Sequence, residues 1–123
     1  MQTQNFDHQQ FIADLSNFCG TSRWYQHHFA KGMSFTDGVK FFAEKAGSFW
    51  LVDLIAFEFF PLLQKDRPFL SIKVVSKGVS TVITVTDGNE TQITCRHIQF
   101  STLMAGTWKF YLTDGVLLLP SEY

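Results

Sequence analysis

The chain has 123 residues, of which 46% are hydrophobic, 16% aromatic and 17% charged, and ten Lys and Arg against eleven Asp and Glu leave a net charge of −1. That length suits a single domain over residues 1–123, able to bury roughly two-thirds of its unfolded surface. The balanced charge argues against general nucleic-acid binding and a polybasic membrane anchor, and the apolar content argues against disorder beyond about residues 1–4.

The polar opening Met1–Asn5 lacks the basic and apolar regions of a signal peptide. The two cysteines, Cys19 and Cys95, stand far apart with no CxxC motif, and read as reduced thiols of a cytoplasmic protein. A first, surface-lying helix is expected over 5–18. Phe11, Leu15 and Phe18 recur at i, i+4 and i+7, with Ile12 and Cys19 widening the stripe. Asn5 suits its cap, Asp7 its first turn and Gly20 a left-handed stop. Residues 21–35 keep no period and read as a loop with room for a short strand. Thr36 then caps a helix over 37–46 that Gly47 closes, with Val39, Phe42, Ala43 and Ala46 on one face. Ser48 can cap a further helix, 49–60, ended by Pro61. Its only polar side chains are Asp53 and Glu58, so it should be central. A single helix over 37–60 is the alternative, with Gly47 inside it costing about 1 kcal/mol against alanine. Twelve residues of helix rise about 18 Å, short of a bilayer core of about 30 Å, so 49–60 reads as core and not as a membrane span.

After Lys65–Pro68 the period changes to that of strands. Leu70, Ile72 and Val74 alternate with Ser71 and Lys73 in 69–76, and Val79, Thr81, Ile83 and Val85 share one face of 79–86. Lys77-Gly78 and Asp87-Gly88-Asn89 punctuate hairpins. In 91–100 the parity slips between Ile93 and Cys95 on one side and Ile98 and Phe100 on the other, which predicts a bulge or strand end near Arg96-His97. Asp114-Gly115 reads as a two-residue turn setting Leu112 opposite Leu117 and Phe110 opposite Leu119. Thr-Asp-Gly recurs at 36–38, 86–88 and 113–115; since the first opens a helix and the others close hairpins, shared turn chemistry accounts for it better than duplication. The order of elements predicts an α+β fold, with N-terminal helices packed on one face of an antiparallel β-meander of about five strands.

Four stretches carry a resemblance. Gly20-Thr21-Ser22-Arg23-Trp24-Tyr25-Gln26-His27 is similar to a G-T/S-x-x-W/Y-Y-x-H opening, and 35–44 (FTDGVKFFAE) to a Y-T-D-G-V-K-Y-x-A-E segment. Residues 46–56 continue it as an A-G-A-Y-W-L-x-D-x-I-A run, and 112–123 (LTDGVLLLPSEY) match its ending almost letter for letter. Over about 20–123 the chain thus resembles a family of small bacterial proteins of unknown function. The resemblance implies a bacterial, cytosolic, single-domain protein and carries no activity. The stretch Phe57–Lys65 departs from the pattern in its richness in phenylalanine.

The candidate binding residues are Arg23, Trp24, Tyr25, His27, His28 and Asp53. Adjacent histidines point to opposite faces of a strand or diverge by about 100° on a helix, so His27 and His28 do not chelate one ion, and neither metal nor cofactor is expected. Cys95 and His97 share a strand face as a thiolate–base pair would, but Cys95 continues the apolar parity of Ile93 and reads as a buried, inert thiol. The run 23–31 interleaves rings with cations, as a single-strand nucleic-acid platform does; the net charge disfavours that and leaves the rings as core plugs. Asp53 is the strongest local oddity. A carboxylate buried in an apolar helix must find donors or take a proton, either as a general base or ligand contact, or by bonding to backbone, a Trp indole or a Tyr hydroxyl. Phosphate loops, nucleophile elbows and paired acid–base carboxylates are missing, so a non-enzymatic protein is expected.

Fourteen phenylalanines and three tryptophans exceed what one small core hides. An exposed apolar patch follows, and with it a self-associating interaction module working through the loop around Trp24-Tyr25 or an uncovered sheet face. The rival is a small-molecule pocket between the apolar helix and the sheet, with Asp53, Arg23 or His27 as polar anchors.

Overall fold

Alternation every second residue builds the centre of the molecule. The computed structural model describes residues 7–20, 23–63, 68–89, 91–101 and 103–123. In it β3 (Phe69–Ser76), β4 (Ser80–Thr86) and β6 (Gly106–Thr113) turn Leu70, Ile72, Val74, Ile83, Val85, Phe110 and Leu112 to one buried face. The helices α1 (His8–Ser16), α2 (Asp37–Ala46) and α3 (Phe49–Leu54) supply the other half of the core. Phe42 of α2 meets Phe110 edge-on at 5.1 Å between ring centroids and Trp108 at 5.5 Å, and Phe11 of α1 meets Trp108 at 5.5 Å. The fold is therefore α+β. No helix among the described residues is long and apolar enough to cross a membrane.

The sheet departs from a five-stranded meander. Among the described residues it has seven strands in the order β1-β2-β7-β6-β3-β4-β5, with β1 (Trp24–Gln26), β2 (Ser34–Thr36), β5 (Gln92–Gln99) and β7 (Val116–Leu118) completing it. All neighbours are antiparallel except β2 and β7, which run parallel with Phe35 opposite Leu117. β6 passes over its sequence neighbour β5 to pair with β3, placing Phe110 opposite Ile72. The reason is apolar content: Trp108, Phe110 and Leu112 require the helix-covered centre, whereas Arg96 and His97 suit β5 to an edge. β1 and most of β2 fall in the stretch 21–35, read as a loop with room for one short strand, and two form there. Three residues each carry too little pattern to announce a strand, and pairing across the chain decides them.

Other differences are local. Residues 1–6 lie outside the described residues, and with them the Asn5 cap and the disorder expected over 1–4; Lys65–Arg67 of the expected turn do so too. Asp7 caps α1, its carboxylate accepting the Gln10 N–H at 3.0 Å, and the helix ends at Ser16 with no left-handed stop at Gly20. Ile12 and Cys19 are exposed, so the buried stripe narrows to Phe11 with Leu15 and Phe18 beside it. Val79 precedes β4 and is exposed. The parity slip in β5 sits at Ile93, between partners Val85 and Thr86, not at Arg96-His97. That position lets both Ile93 and Ile98 reach the core while Cys95 and His97 share the open face. Cys95 is accordingly exposed, not buried.

Gly47 takes a left-handed conformation (φ 61°) and separates α2 from α3, so residues 37–60 form two helices. Ser48 makes no side-chain cap. Beyond α3 the chain widens into a π turn, Ile55–Phe59, closed by the Phe60 N–H on the Ile55 carbonyl, and then tightens over Phe60–Leu62 around Pro61. Pro61 has no N–H to continue an α-helix, and the wide turn absorbs the change. It keeps Ile55, Ala56 and Phe59 in the core while Phe57 and Glu58 face outward, the latter paired with Arg96 of β5. The 114–115 turn forms as read, with φ positive at both residues and Leu112 opposite Leu117; pairing ends at Leu118, before Leu119.

Candidate functional site

β1 ends at Gln26, and the chain folds back through residues 28–32 to begin β2. The reversal is organised by His27. Its backbone N–H donates to the Met33 carbonyl at 2.9 Å, and its buried ring faces into the turn. There Nδ1 accepts two backbone N–H bonds, from Phe29 at 3.1 Å and Ala30 at 3.0 Å. A nitrogen that accepts holds no proton, so the ring is the neutral Nε2–H tautomer, donating to Oδ1 of Asp53 on α3 at 2.7 Å. Both ring nitrogens are thereby used. With no free lone pair, His27 in this arrangement is neither a general base nor a metal ligand.

Asp53 is not the buried carboxylate its apolar helix suggests. Its side chain is 53% exposed, and its partner is His27 instead of backbone, indole or phenol. The helix is apolar nearly all round because its outward side is covered with exposed rings, and Asp53 stands among them. The Tyr25 hydroxyl instead donates to Oδ1 of Asp37 at 3.0 Å. Only one oxygen of Asp53 is bonded among the described residues, and Oδ2 is left to solvent.

Around this pair opens a cleft of about 280 Å³. Phe29, Phe35, Phe49 and Val52 give it apolar walls, and Gln26, His28 and Asp53 polar ones. Phe29 is 71% exposed and stacks on Phe57, itself 57% exposed, at 6.2 Å. His27 lies edge-on to both rings, at 6.3 Å and 5.9 Å. Phe35 meets Phe49 edge-on at 6.5 Å, which ties β2 to α3.

Of the six residues singled out in the sequence, the structure brings His27, His28 and Asp53 together. Arg23 and Trp24 are exposed but do not line the cleft, and Tyr25 stacks on Phe35 under the Lys40 ammonium, 5.2 Å from its ring. Phe35, Phe49 and Phe57 were missed. The surplus of phenylalanine around 57–65 was the signal for Phe57; Phe35 and Phe49 carried none, since β-strand pairing places Phe35 and the packing of α3 against β2 sets Phe49 beside it. No three His, Cys, Asp or Glu side chains converge among the described residues.

Fold and site together define a small α+β protein with an aromatic cleft and a fixed histidine–aspartate pair on its wall. Residues 9–123 match the model of a family of unknown function, DUF6876, and the chain belongs to that family. No curated protein and no solved structure matches it.

Proposed function

We propose that the protein is a non-enzymatic interaction module that holds a polypeptide partner on this cleft, beginning with a second copy of itself. The observation that carries the reading is the gathering of exposed rings: Phe29, Phe57 and Phe49 (42% exposed) at the cleft, with Trp24 (61%) on the neighbouring edge strand. Water-exposed aromatic area of this kind is worth about 25 cal/mol per Å² when covered, and aromatic residues are what interface centres concentrate. The saturated His27 supports a binding role over acid–base chemistry. Exposed, unpaired Cys19 and Cys95 fit a reducing compartment such as the cytoplasm.

Sedimentation velocity from low-micromolar to sub-millimolar protein tests it. The wild type is expected to sediment faster as concentration rises, and a Phe29→Ser/Phe57→Ser variant to stay monomeric with its thermal midpoint retained, since neither ring is in the core. A wild type that stays monomeric throughout, or a variant that associates equally well, rejects self-association through this face.

A further inference from the structure

The cleft has a chemical polarity that apolar docking does not use. Asp53 is a carboxylate whose hydrogen-bond partner, His27, is held neutral by two backbone N–H donors, so the pair carries a net negative charge. No lysine or arginine lines the cleft, and no cation is paired with Asp53 among the described residues. The remaining walls are largely aromatic: Phe29, Phe35 and Phe49. Ring faces attract cations, and a carboxylate oxygen beside them supplies the directed hydrogen-bond acceptor. The same pairing already occurs within the fold one step away, where the Lys40 ammonium lies 5.2 Å from the Tyr25 ring centroid and Asp37 accepts the Tyr25 hydroxyl.

From this juxtaposition we infer that the cleft receives the guanidinium or ammonium group of an arginine or lysine side chain presented by a partner polypeptide. The volume of about 280 Å³ suits one long side chain. The source is a polypeptide because β1 is the outermost strand of the sheet among the described residues and its last residue, Gln26, is on the cleft wall. An extended segment pairing along β1 sets alternate side chains beside the cleft, with Trp24 exposed along the same edge. The inference rests on the binding-module reading above and adds the class of group that is bound.

Titration of the labelled protein with Ac-Gly-Arg-Gly-NH2, followed by amide and imidazole NMR shifts, tests it without requiring self-association. Saturable shifts are expected at Gln26–Ala30 and Phe49–Asp53. The citrulline peptide, of nearly the same shape without the charge, should bind at least tenfold more weakly. Asp53→Asn keeps an oxygen for the His27 N–H, so unchanged His27 ring shifts show an intact cleft; it should lose at least tenfold in affinity for the arginine peptide. Equal binding of arginine and citrulline peptides overturns the inference and leaves a binding cleft in place. No binding of either peptide, in a protein that still self-associates through Phe29 and Phe57, overturns it too. Methylguanidine binding as tightly as the peptide would refute the polypeptide source.

Discussion

Glu122 and Asp53 are both carboxylates at least partly open to water, and the fold treats them in opposite ways. Glu122, in the C-terminal turn Pro120–Glu122, is used up. Its Oε1 accepts the Thr36 hydroxyl at 2.6 Å and the Leu119 N–H at 3.0 Å, and its Oε2 accepts the Gly38 N–H at 3.1 Å. It therefore sits where the unpaired N–H groups of α2 emerge, the place at which a helix favours a negative charge. Among the described residues Asp53 has one bond, through Oδ1, and its side chain is 53% exposed. A carboxylate with both oxygens bonded by its own chain is a fastener, while one bonded through a single oxygen beside exposed rings is a place for something else. The difference can be measured.

The largest effect belongs to Glu122→Ala. It strands the Gly38 N–H and the Thr36 hydroxyl in partly buried surroundings, and charge-assisted bonds of this kind place the loss at about 2–4 kcal/mol in urea unfolding. A loss below about 1 kcal/mol would show that the C-terminal turn is not fastened through this side chain. Gly38→Ala comes next, because a Cβ there would lie 2.6 Å from Leu119 Cδ1 and 2.7 Å from Glu122 Oε1. Those are ends of flexible side chains, but the carboxylate is pinned by three bonds and Leu119 is buried, so about 1–3 kcal/mol is expected. In the Glu122→Ala background the same substitution should cost less, and strict additivity would separate the two sites.

Asp53→Asn should barely register on the same scale. The amide oxygen still accepts the His27 N–H and the group is half in water, so less than about 1 kcal/mol is expected. A loss matching that of Glu122→Ala would make Asp53 a fastener too and remove its claim on a ligand.

What the sequence made legible follows the same division between near and far. The bounds 69–76 of β3, the Thr36 cap, the Gly47 break and the 114–115 turn are written in residues a few positions apart, where period and turn chemistry act. The partners of the two carboxylates are not: His27 lies 26 residues from Asp53, and Gly38 lies 84 from Glu122. Both were recognisable as residues of interest or as a family-like ending, but topology alone brings them together. The parallel pairing of β2 with β7 does both jobs at once, since it sets Phe35 beside the cleft and carries the chain on from β7 to the turn that holds Glu122. The apolar residues all round its helix point Asp53 to the interior, but the structure leaves it 53% exposed, because the outward ones are the exposed rings of the cleft.

Lys40 offers the finest contrast, a charge neither fastened into the core nor free. Its ammonium donates to Glu44 one helical turn on, at 3.0 Å, and lies over the Tyr25 ring. The hydrogen bond to Glu44 is the main reason its pKa stands above the ordinary lysine value of 10.5; desolvation opposes it, and attraction to Glu44, Tyr25 and Asp37 adds to it. A pKa raised by folding means the protonated form is the one the fold stabilises. That contribution is complete at neutral pH and is lost as pH climbs above 10.5 through the raised value. Lys40→Met should accordingly give the smallest shift in thermal midpoint of the series. The shift should shrink with added salt and fade toward the alkaline end, as for an exposed pair spaced i, i+4. A difference that persists unchanged in salt and at high pH would assign Lys40's role to the packing of its stem on Tyr25 instead of to its charge.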